Sequence, residues 1–394
     1  MNQAGNFKNI SMKKIKQIKK CRVCGGIFYK EPLVKYKNMP MVAQHLPDKN
    51  TLKDDWGTDL VVCQCSGCGL VQLKNEPVSY YKEVIRAAGF SPEMKKFRAD
   101  QFKDFVQRYS LTGKKIVEIG CGRGEYLSIM SQMGVKAHGI EYSGDSVKQC
   151  ARNGLNVQAG FIENEKYKIN GAPFDAFFIL SFLEHLPNPS EALRGISNNL
   201  KNNAVGIVEV PNFDMMLKKK LFSEFVRDHL TYFTKTALTT ALTLNGFDVL
   251  ECNEVWHNYI ISAVVRKRQK KNLSAFDGHQ TKIIKELKKY VERFSDKKVA
   301  VWGAGHQAFA VLSLAGLGDK IRYVVDSAPF KQGKYTPATH ISIVSPDKFF
   351  TDSVNAVIVM AGSYSDEVTE IIRAKCGKKI EVAIMREEGL EVEE

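Results

Sequence analysis

Short apolar runs alternate with segments of mixed polarity along most of the chain. We predict strands at four of these runs, residues 116–119, 174–180, 206–210 and 259–265. Residues 237–245 are predicted to form a helix that Gly246 ends, and an amphipathic helix is predicted near residues 281–294. Strands that alternate with helices indicate α/β units with parallel sheets.

A glycine-rich turn follows the first of these strands and precedes a helical segment. Glycine would let the backbone approach a ligand without a Cβ in the way. The next strand ends on an acid, which can bind both ribose hydroxyls of a nucleoside. The G-x-G-x-G spacing differs from the G-x-G-x-x-G of NAD enzymes, and it favours S-adenosylmethionine (SAM), with an ordinary strand–turn–helix as the alternative. The predicted cofactor-binding residues are Glu118, Gly120, Gly122, Gly124 and Glu141.

Length and composition are those of a globular protein with several domains. A chain of 394 residues favours two to three domains, and 44% apolar with 25% charged residues is ordinary for this class. No apolar run is long enough to span a bilayer, so no membrane partner is expected. The polar, lysine-rich N-terminus predicts a cytoplasmic protein without export. The net charge of +14 favours anionic partners such as phosphorylated metabolites.

The chain divides into three predicted domains. Residues 1–85 carry cysteines and read as irregular, residues 86–270 hold the glycine turn described above, and residues 271–394 open a second α/β unit. The hydrophilic stretch 266–272 marks the joint between the second and third domains.

Two C-x-x-C motifs predict a metal site in the first domain. Cys21 and Cys24 form one pair, Cys65 and Cys68 form the other, and a glycine follows each pair. Four thiolates suit a closed, structural Zn²⁺ site, although Cys63 leaves an alternative ligand set open. Disulfides are disfavoured in a cytoplasmic chain. A zinc module with positive charge could also bind nucleic acid, but no interleaved aromatic-basic motif supports a nucleic-acid partner.

Candidate catalytic residues follow two of the central strands. His185 comes after the strand at 174–180, and Asp228 and His229 come beyond the strand at 206–210. Loops at the carboxyl ends of such strands line the ligand crevice. A methyl acceptor loses a proton as it attacks, and an imidazole suits that role. We predict His229 as the general base with Asp228 and His185 assisting; a packing role is the alternative for either histidine.

Two tyrosines are further candidates for contact with the acceptor. Tyr81 could close over the site, although packing is an equal alternative, and Tyr232 lies three residues after His229.

A second glycine turn lies in the third domain. Gly303 and Gly305 fit G-x-G-x-x-A after a strand, and Asp326 closes a later strand. This pattern alone would indicate NAD, while a phosphate cradle at a helix N-terminus and a scaffold without ligand are the rival interpretations. We take Gly303, Gly305, His306 and Lys331 as candidate substrate-binding residues.

The order of these features resembles the SAM-dependent sugar C-methyltransferases of deoxysugar biosynthesis. The resemblance rests on residues 65–73, the glycine motif at 116–127, D-H-L-x-Y-F at 228–233, and residues 323–337 and 361–368. It implies a zinc-binding N-terminal domain, a central class I methyltransferase domain of Rossmann-like fold, and a second Rossmann-like domain that helps to hold a nucleotide-linked keto-sugar. The implied reaction removes a proton beside the ketone and methylates the enolate carbon.

The chain departs from that family in one motif. The family's Tyr-His-Glu-His reads here with Val226 in place of the tyrosine and Asp228 in place of the glutamate, while His229 matches. Transfer to oxygen or nitrogen therefore stays an alternative. An NAD-dependent oxidoreductase and a zinc-dependent nucleic-acid-binding protein are the alternatives from other classes.

Overall fold

The computed structural model describes residues 17–44, 46–83 and 91–393. The chain forms two compact units, one up to Gln269 and one from Lys270. The predicted boundary at residue 85 lies outside the described residues, and the division into three domains stays a prediction.

The first unit begins with a four-stranded antiparallel sheet that the sequence did not predict. Its strands, in the order β1-β2-β3-β9, are β1 (Val34–Pro40), β2 (Gly57–Gln64), β3 (Val71–Leu73) and β9 (Thr231–Tyr232). Leu60 and Val62 of β2 are buried against Phe213 and Met216 from the methyltransferase-like part of the chain. The expectation of an irregular first region was therefore wrong, because these strands bury their apolar face against a distant segment.

A seven-stranded mixed sheet forms the body of the first unit. Its strands, in the order β10-β11-β8-β7-β4-β5-β6, are β4 (Lys115–Ile119), β5 (Lys136–Glu141), β6 (Val157–Ala159), β7 (Phe174–Leu180), β8 (Leu200–Pro211), β10 (Phe247–Val255) and β11 (Ile260–Lys267). The helices of this unit are α1 (Pro92–Arg108), α2 (Glu125–Ser131), α3 (Gly144–Arg152), α4 (Pro189–Asn198), α5 (Phe213–Lys219) and α6 (Lys235–Leu244).

The predicted strands and the helix before Gly246 are confirmed, with one difference in direction. Five neighbouring strands of the sheet, β6, β5, β4, β7 and β8, are parallel. Strand β11 is antiparallel to both of its neighbours, β8 and β10. A short turn joins β10 to β11, so this pair is a hairpin without a crossover helix. The carboxyl ends of the parallel strands lie at one edge, which is where ligands bind in open α/β sheets.

The second unit is a six-stranded sheet with helices, as the sequence predicted for a second α/β unit. Its strands, in the order β14-β13-β12-β15-β16-β17, are β12 (Val299–Trp302), β13 (Ile321–Val325), β14 (Ile343–Val344), β15 (Ala356–Val359), β16 (Glu381–Met385) and β17 (Leu390–Val392). The strands are parallel except β17, which pairs antiparallel with β16.

The helices of the second unit are α7 (Ser274–Val291), α8 (His306–Ala315), α9 (Pro346–Thr351) and α10 (Ser365–Cys376). Helix α7 begins seven residues before the predicted start at residue 281. The sequence pattern missed these first turns because they are exposed and carry no apolar periodicity. Within the described ranges, every helix is too short or too polar to cross a bilayer.

Candidate active site

The glycine turn after β4 has a backbone that only glycine adopts easily. Gly120, Gly122 and Gly124 have φ of +69°, +57° and +84°. A Cβ on Gly120 would lie 2.7 Å from the Phe182 ring, and one on Gly124 would lie 2.4 Å from Leu155. A Cβ on Gly122 would have no neighbour nearer than 3.7 Å. Packing therefore requires glycine at 120 and 124, whereas a Cβ at 122 would make only an ordinary contact with the Glu125 side chain.

The acid at the end of β5 is anchored to this turn. Glu141 is 7% exposed and accepts hydrogen bonds from the amides of Gly122 and Ser143, each at 2.9 Å. Glu118, the other predicted acid, is fully buried within β4. The carboxylate of Glu141 is thus held beside the turn, and its contact with ribose stays a prediction.

Aromatic side chains form a rim next to Glu141. Tyr142 and Tyr81 each pack edge-on against Phe161, at centroid distances of 6.3 and 5.8 Å. The Lys82 ammonium lies 5.2 Å over the Phe161 ring and 5.3 Å over Tyr142, and it pairs with Glu163. Tyr81 therefore packs on a ring that the sequence analysis did not identify, and its contact with the acceptor stays a prediction.

A second group of functional side chains follows β7. The Nδ1 of His185 lies 2.9 Å from the backbone carbonyl of Asp228, so Nδ1–H donates there and Nε2 is the acceptor in the neutral ring. This Nε2 lies 3.9 Å from Oε1 of Glu184. Glu184 is 2% exposed, and its Oε2 has no hydrogen-bond partner among the described residues. The ring of His229 packs edge to face on His185 at 4.7 Å.

Burial sets the protonation of this group. It raises the pKa of Glu184 to about 8 and lowers the pKa of His229 to about 4. Burial and the neighbouring His229 hold the pKa of His185 well below its ordinary value. The nitrogen and oxygen atoms of the three side chains lie within 4.8 Å of one another. Both imidazoles are therefore neutral at neutral pH, and the pKa of the neighbouring Glu184 carboxyl group lies close to that pH.

Asp228 contacts a different part of the chain. Its carboxylate accepts from the Tyr80 hydroxyl at 2.9 Å and from the Ala43 amide at 3.2 Å. Burial and this carboxylate raise the pKa of Tyr80 to about 12. Tyr80 and Asp228 are 148 residues apart in sequence, so no local pattern pointed to this pair. The predicted role of Asp228 as an assistant to His229 stays a prediction.

The loop that carries His229 is closed by Tyr232. The Tyr232 hydroxyl donates to the carbonyl of Val226 at 3.1 Å and accepts from its amide at 3.0 Å. The Leu230 amide donates to the Glu184 carbonyl at 2.8 Å. Tyr232 is 3% exposed, and burial raises its pKa. Its hydroxyl therefore fixes the loop, and direct substrate contact stays a prediction.

The four cysteines of the C-x-x-C motifs come together. Cys21 and Cys68 have sulfurs 3.6 Å apart, Cys24 and Cys65 have sulfurs 3.4 Å apart, and all four lie within 4.8 Å of one another. A tetrahedral Zn–S₄ site with bonds of about 2.3 Å has S···S edges of about 3.8 Å, so the group fits this metal. Cys63 lies outside the group and donates to a backbone carbonyl at 3.3 Å.

The second glycine turn is occupied by contacts of the protein itself. Gly303 has φ of +117°, and a Cβ there would lie 2.4 Å from the carbonyl oxygen of Met360. Asp326 accepts from the Ala304 amide at 2.9 Å and from the Lys331 ammonium at 2.7 Å. Lys331 also donates to the carbonyl of Ala304 at 2.9 Å. The acid at this turn therefore has a cationic partner within its own unit.

The neighbouring positions are more open. Gly305 precedes α8 with φ of −112°, and a Cβ there would have no neighbour within 4 Å. His306, the first residue of α8, is exposed. Although burial opposes it, Lys331 and backbone amides hold the pKa of Asp326 below its ordinary value. Ligand binding by Gly303, Gly305, His306 and Lys331 stays a prediction.

Comparison with protein families assigns most of the chain. Residues 94–252 match the family model described as a methyltransferase domain, and residues 265–383 match the C-methyltransferase C-terminal domain. The chain is 24% identical to the C-methyltransferase NovU of Streptomyces niveus, over 90% of this chain and 92% of that protein. It is 30% identical over 105 residues to a ubiquinone biosynthesis O-methyltransferase of Chromobacterium violaceum, which covers 25% of this chain and 45% of that protein.

Solved structures similar to the chain cover about half of it. One is a SAM-dependent methyltransferase from Clostridium acetobutylicum, 15% identical, with a TM-score of 0.39 over 48% of this chain and 96% of that one. Another is the plantazolicin methyltransferase BpumL in complex with SAH, 16% identical, with a TM-score of 0.37 over 45% of this chain and 86% of that one.

Proposed function

We infer that this chain, which matches a methyltransferase domain and a C-methyltransferase C-terminal domain, is a SAM-dependent sugar C-methyltransferase that methylates a carbon atom beside the ketone of a nucleotide-linked sugar. The family, the class I methyltransferase fold and the enzymatic class agree with the resemblance read from the sequence. The sugar substrate and the enolate route are the proposal. The observation that supports them most is the pair of neutral imidazoles, His185 and His229, on loops that follow the central strands.

We propose that Glu141 and the turn at Gly122 hold the methyl donor. Glu141 is fixed by two backbone amides beside a turn whose middle glycine is not crowded, since a Cβ there would lie 3.7 Å from the nearest atom. When bound, SAM supplies an electrophilic methyl group whose bond to sulfur breaks as the bond to the acceptor carbon forms. Glu118 supports this edge from within β4.

His229 is the proposed general base. A neutral imidazole is the form that can take a proton, and the lowered pKa of His229 keeps it neutral at physiological pH. His229 takes the proton from the carbon beside the ketone, the electron pair of that C–H bond forms a C=C bond, and the π pair of the C=O bond moves to the ketone oxygen. His185 is fixed by the Asp228 carbonyl and packs against the base, which holds its ring in place.

The test follows the proton and the methyl group separately. In deuterated water, the wild type should exchange the acceptor's α-hydrogen, and NMR should locate a ¹³C label from the SAM methyl on carbon. His229→Ala should lose both activities about 1000-fold, since a positioned base contributes on the order of 10²–10⁴. Its affinity for SAM should remain. His279→Ala, an exposed histidine of α7, is the matched control. Full turnover by His229→Ala would exclude it as the base.

Transfer to oxygen is the second candidate, favoured by the match of 105 residues to a ubiquinone biosynthesis O-methyltransferase. The same NMR experiment separates the two, because a methyl ether and a C-methyl group have distinct ¹³C shifts. A methyl ether formed without exchange of the α-hydrogen would replace the enolate route.

We also propose that the four cysteines bind one structural Zn²⁺. Their sulfur spacing and the donor set fit a closed tetrahedral site, and thiolate ligands fit a reducing compartment such as the cytoplasm. Elemental analysis should find one zinc per chain, and Cys24→Ser should lose it with a lower unfolding temperature. Cys376→Ser, outside the group, should retain the metal. Equal metal content in both variants would contradict the assignment.

A further inference from the structure

The turn between β10 and β11 has an unusual backbone. Trp256, His257 and Asn258 have φ of +47°, +54° and +64°, which is the left-handed region that is strained for non-glycine residues. Such strain persists only where surrounding structure holds it. The residue that this turn delivers is Tyr259.

Neighbouring elements hold the turn at the carboxyl edge of the sheet. Asn212, directly after β8, donates from its side chain to the carbonyl of Asn258 at 2.8 Å and from its amide to the carbonyl of Tyr259 at 2.9 Å. The Trp256 ring packs on Phe97 of α1 at 5.4 Å. The strained turn therefore places Tyr259 at the edge where β8 ends.

The Tyr259 side chain reaches toward the loop that carries the base. Its hydroxyl donates to Oε2 of Glu224 at 2.8 Å, and Glu224 lies just before that loop. Burial, this hydrogen bond and the charges of Glu224 and Glu184 raise the pKa of Tyr259. The phenol therefore stays protonated, within electrostatic range of Glu184.

Tyr259 differs from the other tyrosines of this region in its partners. The hydroxyl of Tyr80 is bound to Asp228 and Ala43, and that of Tyr232 is bound to the backbone of Val226 on both sides. The ring of Tyr259 is 40% exposed, and in the described part of the chain its hydroxyl has one partner, a side-chain carboxylate. A ligand oxygen can replace that partner without breaking the fold.

The proposed reaction needs such a donor. Removal of the α-proton places negative charge on the ketone oxygen, and a fixed donor at that oxygen is a large contribution to catalysis. His185 cannot be this donor while neutral, because its one N–H is bound to the Asp228 carbonyl. The loop itself has Val226 where the related motif has a phenol.

We propose that the Tyr259 hydroxyl, positioned by Glu224, binds the carbonyl oxygen of the acceptor and donates a hydrogen bond to it as the enolate forms. The inference rests on the proposed C-methyl transfer. Tyr259 keeps its proton throughout: His229 receives the proton from carbon, the C–H electron pair forms the C=C bond, and the oxygen accepts the displaced pair. When the new C–C bond forms, the C=O bond is restored.

Tyr259→Phe tests the proposal, because it removes the hydroxyl and keeps the ring. The probe is a nucleoside-diphosphate-linked 4-keto-6-deoxyhexose. We expect both kcat and α-hydrogen exchange to fall about 100-fold, as for loss of one oxyanion donor, with SAM affinity and unfolding temperature unchanged. Tyr29→Phe, an exposed tyrosine of the first sheet region, should match the wild type.

The outcomes separate the two proposals. Exchange and kcat within twofold of the wild type in Tyr259→Phe would overturn the role of Tyr259 while C-methyl transfer stands. A wild type that neither exchanges nor methylates the probe would overturn the proposed function and this inference together. If Tyr259→Phe lowers the unfolding temperature together with the rate of α-hydrogen exchange, the residue serves folding, and the inference is overturned.

Discussion

The two glycine turns of this chain occupy equivalent places in their sheets and differ in what surrounds them. Each follows a central strand, precedes a helix, and has an acid at the end of the neighbouring strand, Glu141 in the first unit and Asp326 in the second. Glu141 is held by backbone amides, whereas Asp326 is also paired with the Lys331 ammonium. One sequence pattern therefore supports two electrostatic environments.

The glycines of the two turns follow one order of crowding. The first glycine of each turn is required by packing, because a Cβ would lie 2.7 Å from the Phe182 ring at Gly120 and 2.4 Å from the Met360 carbonyl oxygen at Gly303, whereas a Cβ at Gly122 or Gly305 would have no neighbour nearer than 3.7 Å. A glycine motif after a strand thus indicates a close approach, but the approaching group can be a ligand or the protein's own backbone. The surroundings, rather than the motif, decide between them.

The largest expected effect concerns Gly303. Gly303→Ala should lower the free energy of unfolding of the second unit by about 3 kcal/mol or more, because a Cβ would meet backbone in a conformation that alanine avoids. Gly305→Ala, the control, should stay within about 0.5 kcal/mol. Urea unfolding followed by hydrogen exchange in β12 measures both. Similar losses in the two variants would contradict the requirement for glycine at position 303.

A smaller effect concerns the ionisable groups of the two units. Glu184 has a raised folded pKa of about 8 against 4.5 unfolded, so its contribution to stability is present below about pH 4.5 and lost as pH rises through 8. Glu184→Gln cannot ionise, so the variant does not lose this contribution to the free energy of unfolding as the pH rises. The stability of the variant relative to the wild type should therefore rise by on the order of 2 kcal/mol from pH 5 to 8. The lowered pKa values of His185 and His229 act below about pH 6.5 and cancel in this difference.

Urea titrations at several pH values measure this change. Asp326→Asn is the comparison in the second unit: Asp326 has a lowered pKa, so its contribution is present above the unfolded pKa and is lost only as the pH falls through the acid range. A flat difference for Glu184→Gln between pH 5 and 8 would contradict a carboxyl group that holds its proton in the folded state.

The smallest effect separates the two acids by ligand binding. Glu141→Gln should weaken SAM binding about tenfold, or about 1.4 kcal/mol, because one acceptor becomes a donor and the charge is lost. Asp326→Asn should leave SAM binding unchanged. Titration calorimetry with SAM and with SAH measures both. A tenfold loss of SAM affinity in Asp326→Asn would contradict the assignment of SAM to the first glycine turn.

Local rules account for what could be predicted from the sequence. The strand before Gly120, the helix that ends at Gly246 and the grouping of four cysteines each depend on a few neighbouring residues, and each is present in the structure. The order of the elements was sufficient for the α/β class.

Other features depend on contacts that no local pattern carries. β9 has two residues, too few for a periodicity, and it is a strand only because β3 lies beside it. The Tyr80–Asp228 pair joins distant segments. The turn before Tyr259 uses Trp256 and its neighbours in a backbone region for which a sequence would suggest glycine. Each is decided by tertiary packing.

The pairing of β9 with β3 also has a consequence for dissection of the chain. The cysteine-bearing sheet takes its last strand from the segment that continues from His229. A fragment that ended near residue 85 would lack Thr231 and Tyr232 and would leave β3 with an unpaired edge. The cysteine-bearing sheet is therefore complete only when the segment after His229 is part of the same molecule.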